Sequence, residues 1–337
     1  MARGAHPLKH RMEYEVIAGW EHLPEGWSFV EVAGVAVDSH ERVYVFCRGD
    51  HPVIVFDKDG HFLSAWGEGV FTRPHGIFID HADRVHCVDC GDHTIRTFTP
   101  EGELLETMGE PFRSSETGFA LERSPVQHAA GPFNMVTNVV VLRDGTRYVT
   151  DGYGNARVHK FRPDGSLERS WGEQGSAPGE FNLPHGLAID SAGKVYVADR
   201  ENSRVQIFSP DGDYLTEWSW VGRPCDLFID EQDRIYIAEL GFRVARKSPV
   251  HYRFMETMPP GHDPIARVTV CDPDGEIITR IGGEEEVLPG NFIAPHGLWV
   301  DPKGSLYVGE VIAASGSIQR LAPTPIQSFQ VFRRRAG

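Results

Sequence analysis

The tripeptide Pro-His-Gly occurs three times, at Pro74-His75-Gly76, Pro184-His185-Gly186 and Pro295-His296-Gly297, and the histidines lie 110 and 111 residues apart. Imidazole is a strong ligand for divalent transition metals. Three imidazoles gathered at one point leave such an ion an open position for substrate. That chemistry is available only if the chain returns to equivalent places at regular intervals, which is what a repeat architecture does.

The repeat is finer than the histidine spacing. An apolar run ending in Asp recurs as GVAVD (34–38), GIFID (76–80), GLAID (186–190), DLFID (226–230) and GLWVD (297–301), with a weaker copy, NVVVL, at 138–142. A second run follows each copy: RVYVF, RVHCV, TRYVT, KVYVA, RIYIA and SLYVG. In the first five units a third run ends in a turn (FDKDG, FTPEG, FRPDG, FSPDG, CDPDG), and a last run closes the unit (FLSAWG, LLETMG, LERSWG, YLTEWS, IITRIG). Short runs rich in Val, Ile and Tyr, separated by DG or EG turns, read as antiparallel strands. Four strands in each of six units specify an all-β fold, a six-bladed β-propeller. The sixth blade, about 292–321, is read with three strands before the chain becomes Pro-rich at Pro323 and Pro325. The N-terminal run Tyr14–Trp20 resembles the closing strands and is expected to supply the fourth, so the ring closes and no sheet edge is left open. The expected organisation is an N-terminal tail at 1–13, a propeller at 14–321 and a solvated C-terminal tail at 322–337 carrying Arg333-Arg334-Arg335.

The residue at the head of each inner strand is Ala33, His75, Thr137, His185, Cys225 and His296 in turn. Histidine occupies alternate blades only, and alternate blades of a six-fold ring are related by rotations of about 120°. Inner strands line the channel, so the three imidazoles are expected to meet on the axis. The competing reading is that Pro-His-Gly is merely a turn that starts a blade; strict alternation favours the metal. Zinc is the default for three imidazoles, and iron, nickel and cobalt remain open. The turns after the second strands return to the same face, which places Arg48, Cys90, Tyr153, Arg200, Leu240 and Val311 around the histidines. Asp89, Asp151, Asp199, Glu239 and Glu310 recur at the ends of second strands and are expected to accept structural hydrogen bonds. Asp50, His51, Asp92 and His93 are expected in surface turns. Two irregular segments, 110–132 and 241–266, are expected over the histidine face. The second carries Arg243, Arg246, Lys247, Tyr252, Arg253 and Phe254, a set suited to an anionic or aromatic ligand unless it is only a charged excursion.

Composition narrows the function classes. Length alone would suggest two domains, but the repeat makes one closed domain. A net charge of −15 with no long basic run argues against a nucleic-acid partner. No 18-residue apolar stretch signals a membrane span. The N-terminus MARGAHPLKHRMEYE lacks the apolar core of a signal peptide. Five cysteines form an odd set, and the C-x-x-C of Cys87 and Cys90 has no second pair. A reduced, cytoplasmic protein is expected.

The repeats resemble NHL repeats. The segments FCRGDH, RPHG, DGYGNARV, LPHG, ADRENSRVQIF and APHG are similar to those of peptidyl-α-hydroxyglycine α-amidating lyases, from about Val32 to Val300. That resemblance implies His75, His185 and His296 as zinc ligands, Tyr153 as the base, and Arg48 and Arg200 as the arginines of the site. Three departures stand out. Gly154 occupies the place of a disulfide cysteine, and Ala294 that of a methionine two residues before the third ligand. Gly297 replaces an aspartate that helps hold calcium, so the resemblance does not carry calcium over. No copper hydroxylase accompanies this chain, and a cytosolic enzyme would meet other substrates than secreted peptides.

The implied reaction cleaves a carbinolamide, N–C(OH), to an amide and an aldehyde such as glyoxylate. Tyrosine titrates near 10 when unperturbed, so cationic neighbours such as Arg200 and the metal must lower Tyr153 for it to act as base. Arg48 is suited to hold a substrate carboxylate in a bidentate fork. The expected partner is therefore a small molecule bearing a carboxylate. Two alternatives stay open: a metal-dependent hydrolase of lactones, esters or amides on the same three histidines, and a non-enzymatic NHL interaction module.

Overall fold

The computed structural model describes residues 12–120, 125–243, 258–314 and 327–335. Among these residues 24 strands form six antiparallel four-stranded sheets, one per blade. The inner strands are Val32–Val37, Pro74–Ile79, Val136–Val141, Pro184–Ile189, Pro224–Ile229 and Pro295–Val300. The only helical element among the described residues is a single 3-10 turn, Arg200–Asn202.

The inner and second strands of a blade are buried on both faces, which is why they read as continuous Val/Ile/Tyr runs. Outer strands alternate or face solvent, as in Leu104–Met108 and Tyr214–Trp218. The Asp that ends five of the six inner-strand runs has a structural cause. Asp190 Oδ1 accepts the N–H groups of Ala192 and Lys194, and its Oδ2 accepts the Tyr196 hydroxyl. Asp38 with Tyr44, Asp230 with Tyr236 and Asp301 with Tyr307 repeat the device. The DG turns bring neighbouring blades together. Gly212 (φ +84°) rests on Trp171 of the preceding blade, where a Cβ would come within 2.6 Å of the indole.

Apolar clusters lie between adjacent blades, and blades six and one are joined by Tyr307, Phe329 and Val331 against Trp20, Phe29 and Val35. This seam corrects the sequence reading. Blade six is not completed by a third strand within 292–321. Its third strand is Phe329–Arg334, which pairs with Leu306–Glu310 on one side and with Tyr14–Val16 on the other. The N-terminal strand is the outermost, as expected, but the segment read as a C-terminal tail is an internal strand. Phe329, Val331 and Phe332 are each 1% exposed, whereas Arg333 and Arg334 face solvent. Residues 1–11, and the 315–326 stretch leading to this strand, lie outside the described residues.

The recurring second-strand acids do accept structural hydrogen bonds. Asp89 takes the N–H groups of Thr72 and Arg73, Asp151 that of Asn134, and Asp199 that of Asn182. Glu239 takes that of Gly222, and Glu310 those of Ile293 and Ala294. Each acid therefore fixes the backbone just before an inner strand begins.

Three buried side chains of about 1.5–3 kcal/mol each make the C-terminal strand worth a large part of a domain's net stability. Removing residues 327–337 is expected to leave the protein insoluble or molten in near-UV circular dichroism; an unchanged melting temperature would mean that the ring closes another way. Burial pushes the Glu310 carboxyl up to about 7, and its hydrogen bonds do not offset this. Between its ordinary value and that one, the folded state holds a proton that the unfolded state has released, so stability falls as pH rises through this window. We expect Glu310→Gln to flatten the decline between pH 5 and 8 by about 3 kcal/mol in urea unfolding; an unaltered pH profile would count against it.

Candidate metal centre

His75, His185 and His296 head the inner strands of blades two, four and six, and their ring centroids stand 4.7 Å apart in all three pairs. One nitrogen from each lies within 4.8 Å of the others, and the residues are 2–4% exposed. Each imidazole is oriented by the next blade. His75 Nδ1 meets the Thr137 carbonyl at 2.6 Å, His185 Nδ1 that of Cys225 at 2.7 Å, and His296 Nδ1 that of Ala33 at 2.7 Å. The six inner-strand heads thus alternate as three imidazoles and three carbonyl donors of electron density.

A carbonyl can only accept, so Nδ1 carries the proton in all three rings and each Nε2 presents a lone pair. Burial is the main influence pushing all three pKa values well below the ordinary histidine range, so the rings are neutral near pH 7. Tyr153 Oη lies 2.9 Å from His75 Nε2 and 3.0 Å from His185 Nε2. One hydroxyl proton serves only one of these lone pairs. Neutral, pre-oriented, converging Nε2 atoms with a carbonyl on every Nδ1 are the donor set that a divalent transition metal fits.

Tyr153 sits in the turn Gly152–Asn155 after the second strand of blade three, and the 110–132 segment braces that turn. Thr117 Oγ1 donates to the Gly154 carbonyl, and Asn134 Nδ2 donates to the Ser115 carbonyl and to Thr117. Asn134 comes so near that a Cβ on Gly154 would lie 2.1 Å from its Oδ1, which accounts for glycine at this position. Of the 241–266 segment, Arg246, Lys247, Tyr252, Arg253 and Phe254 lie outside the described residues, and Arg243 donates to the Glu284 carbonyl.

The structure brings Arg200 against the phenol and Arg48 within electrostatic reach of it. Arg200 Nη1 is 3.5 Å from Tyr153 Oη, and its guanidinium stands 5.4 Å from the tyrosine ring centroid. Arg48 perturbs Tyr153 and His296 electrostatically. Two expectations are narrowed. Arg48 gives its Nε–H to the Pro74 carbonyl and Nη1 to Glu31 at 2.5 Å, so its side-on edge is taken and only its Nη1–Nη2 end could meet a carboxylate. Burial pushes the Tyr153 phenol above its ordinary value; Arg200, then Arg48 and Arg73, pull the other way without offsetting it. A further correction concerns Asp92, which is 1% exposed and paired with Arg96 rather than in a surface turn.

Residues that sequence reasoning missed complete the surroundings. Glu31 partners Arg48, and Glu201 joins Arg200 to Arg223. Arg73 and Arg223 stand two residues before the inner-strand heads, in Arg-Pro-His and Arg-Pro-Cys. That shared Arg-Pro step was the available signal. Leu240, Ile293, Val311 and Ile312 form an apolar wall beside Cys225. All five cysteines are buried and unbridged. Elsewhere, at the other end of the channel, a cavity of about 310 Å³ is lined by Phe78, Asn138, Asp226 and Trp299, away from the imidazoles.

Comparison with known proteins agrees with this architecture. The NHL repeat profile matches residues 181–208. NHL repeat-containing protein 3 of Homo sapiens is 32% identical over 327 residues, covering 92% of this chain and 84% of the relative. A probable peptidyl-alpha-hydroxyglycine alpha-amidating lyase, pgal-1 of Caenorhabditis elegans, is 43% identical over 76 residues, 22% of each chain. A streptogramin B lyase structure superposes with a TM-score of 0.57 at 11% identity, over 98% of this chain and all of that one, and so shares the fold. The six-bladed ring, the repeat match and the near full-length relative together place this chain in the NHL-repeat family.

Proposed function

We propose that the protein is a zinc-dependent lyase that cleaves N-acyl-α-hydroxyglycines or closely related carbinolamides to an amide and glyoxylate. The observation that carries this reading is the convergence of three neutral, carbonyl-oriented imidazoles on one point, with Tyr153 Oη against two of them, His75 and His185, and Arg200 against the same hydroxyl. The probable amidating lyase among the relatives supports it.

His75, His185 and His296 would hold the ion, which supplies Lewis acidity to the substrate hydroxyl and positive charge beside the phenol. Tyr153 acts in its phenolate form, its own proton having been released to solvent before substrate binds, and takes the proton from the substrate hydroxyl. As the C–O bond gains double-bond character the C–N bond breaks, and its electron pair leaves on the amide nitrogen. Tyr153 returns the proton to that nitrogen, so the sequence consumes no water. Arg200 stabilises the phenolate through its Nη1, and Arg48 adds positive potential near His296 while neutralised locally by Glu31. The enclosure of the site strengthens each of these interactions. The unbridged cysteines support a cytoplasmic setting, with a small molecule as the substrate.

N-acetyl-α-hydroxyglycine tests the reaction directly. Zinc-loaded protein is expected to release glyoxylate and acetamide in equal amounts, and a chelator should stop it. Acetate in place of acetamide would indicate acyl hydrolysis, and no release from folded, zinc-loaded protein would end the lyase reading. Tyr153→Phe is expected to keep the fold and lower kcat by about 10²–10⁴. Turnover close to that of the unaltered protein would remove the phenol from proton transfer.

A further inference from the structure

A substrate of this class carries its hydroxyl and its carboxylate on the same carbon. With the hydroxyl at Tyr153, the carboxylate must lie within a few ångströms of it. Arg48 has its side-on edge taken by Pro74 and its charge already matched by Glu31. Arg200 is at the required place, since its Nη1 reaches Tyr153 Oη.

Resting on the lyase reading, we propose that Arg200 and Arg223, splayed on Glu201, form the seat of the substrate carboxylate. Arg223 is then a specificity-determining residue and Glu201 a positioning residue. Arg200 donates Nε–H to Glu201 Oε1 at 2.9 Å. Arg223 grips the same carboxylate side-on, through Nη2 to Oε1 at 2.8 Å and Nε to Oε2 at 3.1 Å. The ion pairs of both arginines therefore end on one carboxylate, which leaves one positive charge in excess. The three residues are 2–4% exposed, and a buried charge calls for a counter-charge.

The hydrogen bonds point the same way. Arg200 Nη2 and Arg223 Nη1 are buried nitrogens with no oxygen or nitrogen acceptor in the protein; the Cys225 thiol, a weak acceptor, is the neighbour of the Arg200 guanidinium. Such groups are rare and call for an explanation. A carboxylate satisfies both, one oxygen on each guanidinium, and brings the missing charge. Arg223 also belongs to the site by connectivity: Cys225, two residues on, supplies the carbonyl that orients His185. Its backbone adopts φ +52°, unusual for a residue with a Cβ, and its carbonyl takes the Leu240 N–H, so the side chain is carried by a fixed turn.

Calorimetric titration of the zinc-loaded protein with N-acetylglycine and with N-acetylglycinamide tests the seat without turnover. The acid is expected to bind at least about tenfold more tightly than the amide. Arg223→Met should weaken the acid by roughly 10- to 100-fold and leave the amide unchanged. This variant keeps a one-to-one Arg200–Glu201 pair, so it is expected to fold. If it does not, Arg223→Lys retains the charge without the fork and should still lose several-fold of the preference. Equal binding of acid and amide, binding of neither, or an undiminished preference in the variants would overturn the proposal. A preference for the acid without glyoxylate release from the hydroxylated substrate would end the lyase reading and leave the seat standing.

Discussion

The site depends on three hydrogen bonds, each from an imidazole Nδ1–H on one blade to a main-chain carbonyl on the next. They set the tautomer and turn Nε2 toward the axis. They also use every inner-strand head, three as imidazole carriers and three as acceptors. Such alternation closes on itself only in a ring with an even number of blades. One of the three bonds, from His296 to Ala33, crosses the seam between blade six and blade one. Closure of the ring and geometry of the site are therefore the same constraint. The strand Phe329–Arg334, far from the histidines in sequence, supports them by holding that seam.

Around this core the chain buries charge in compact, locally compensated groups. Arg48 is matched by Glu31, whose second oxygen takes the N–H groups of Ala313 and Ala314. Arg200, Glu201 and Arg223 form a triad with one cation more than anions. In a low-dielectric site a residual charge of this kind selects ligands of opposite sign. The acids at the ends of the second strands carry a different load. They bind backbone N–H groups ahead of the inner strands and hold the heads in place.

Much of this was legible in the sequence because a propeller repeats its information. The apolar runs, the DG turns and the alternation of His75, His185 and His296 with Ala33, Thr137 and Cys225 fixed blade number and which residues share a face. What escaped is what repeats do not encode. The last strand, FQVFRR, lies beyond the Pro-rich stretch and is not followed by a DG turn, so it read as a tail. The burial of Asp92 follows from its pairing with Arg96, and the partners Glu31 and Glu201 from contacts of particular side chains. Tyr153 is expected to be lowered by Arg200 and the metal together; the arginines alone do not outweigh desolvation. The side-on edge of Arg48 is taken by Pro74 and Glu31, partners that no repeat pattern announces.

The central claim is that three imidazoles, oriented by three carbonyls, form one transition-metal site. Zinc titration of the metal-free protein, with the same titration of His185→Ala, tests it most directly. One tightly bound ion per chain is expected, lost in the variant while the fold is retained. A protein that binds no zinc, or a variant that binds it equally well, would contradict the account.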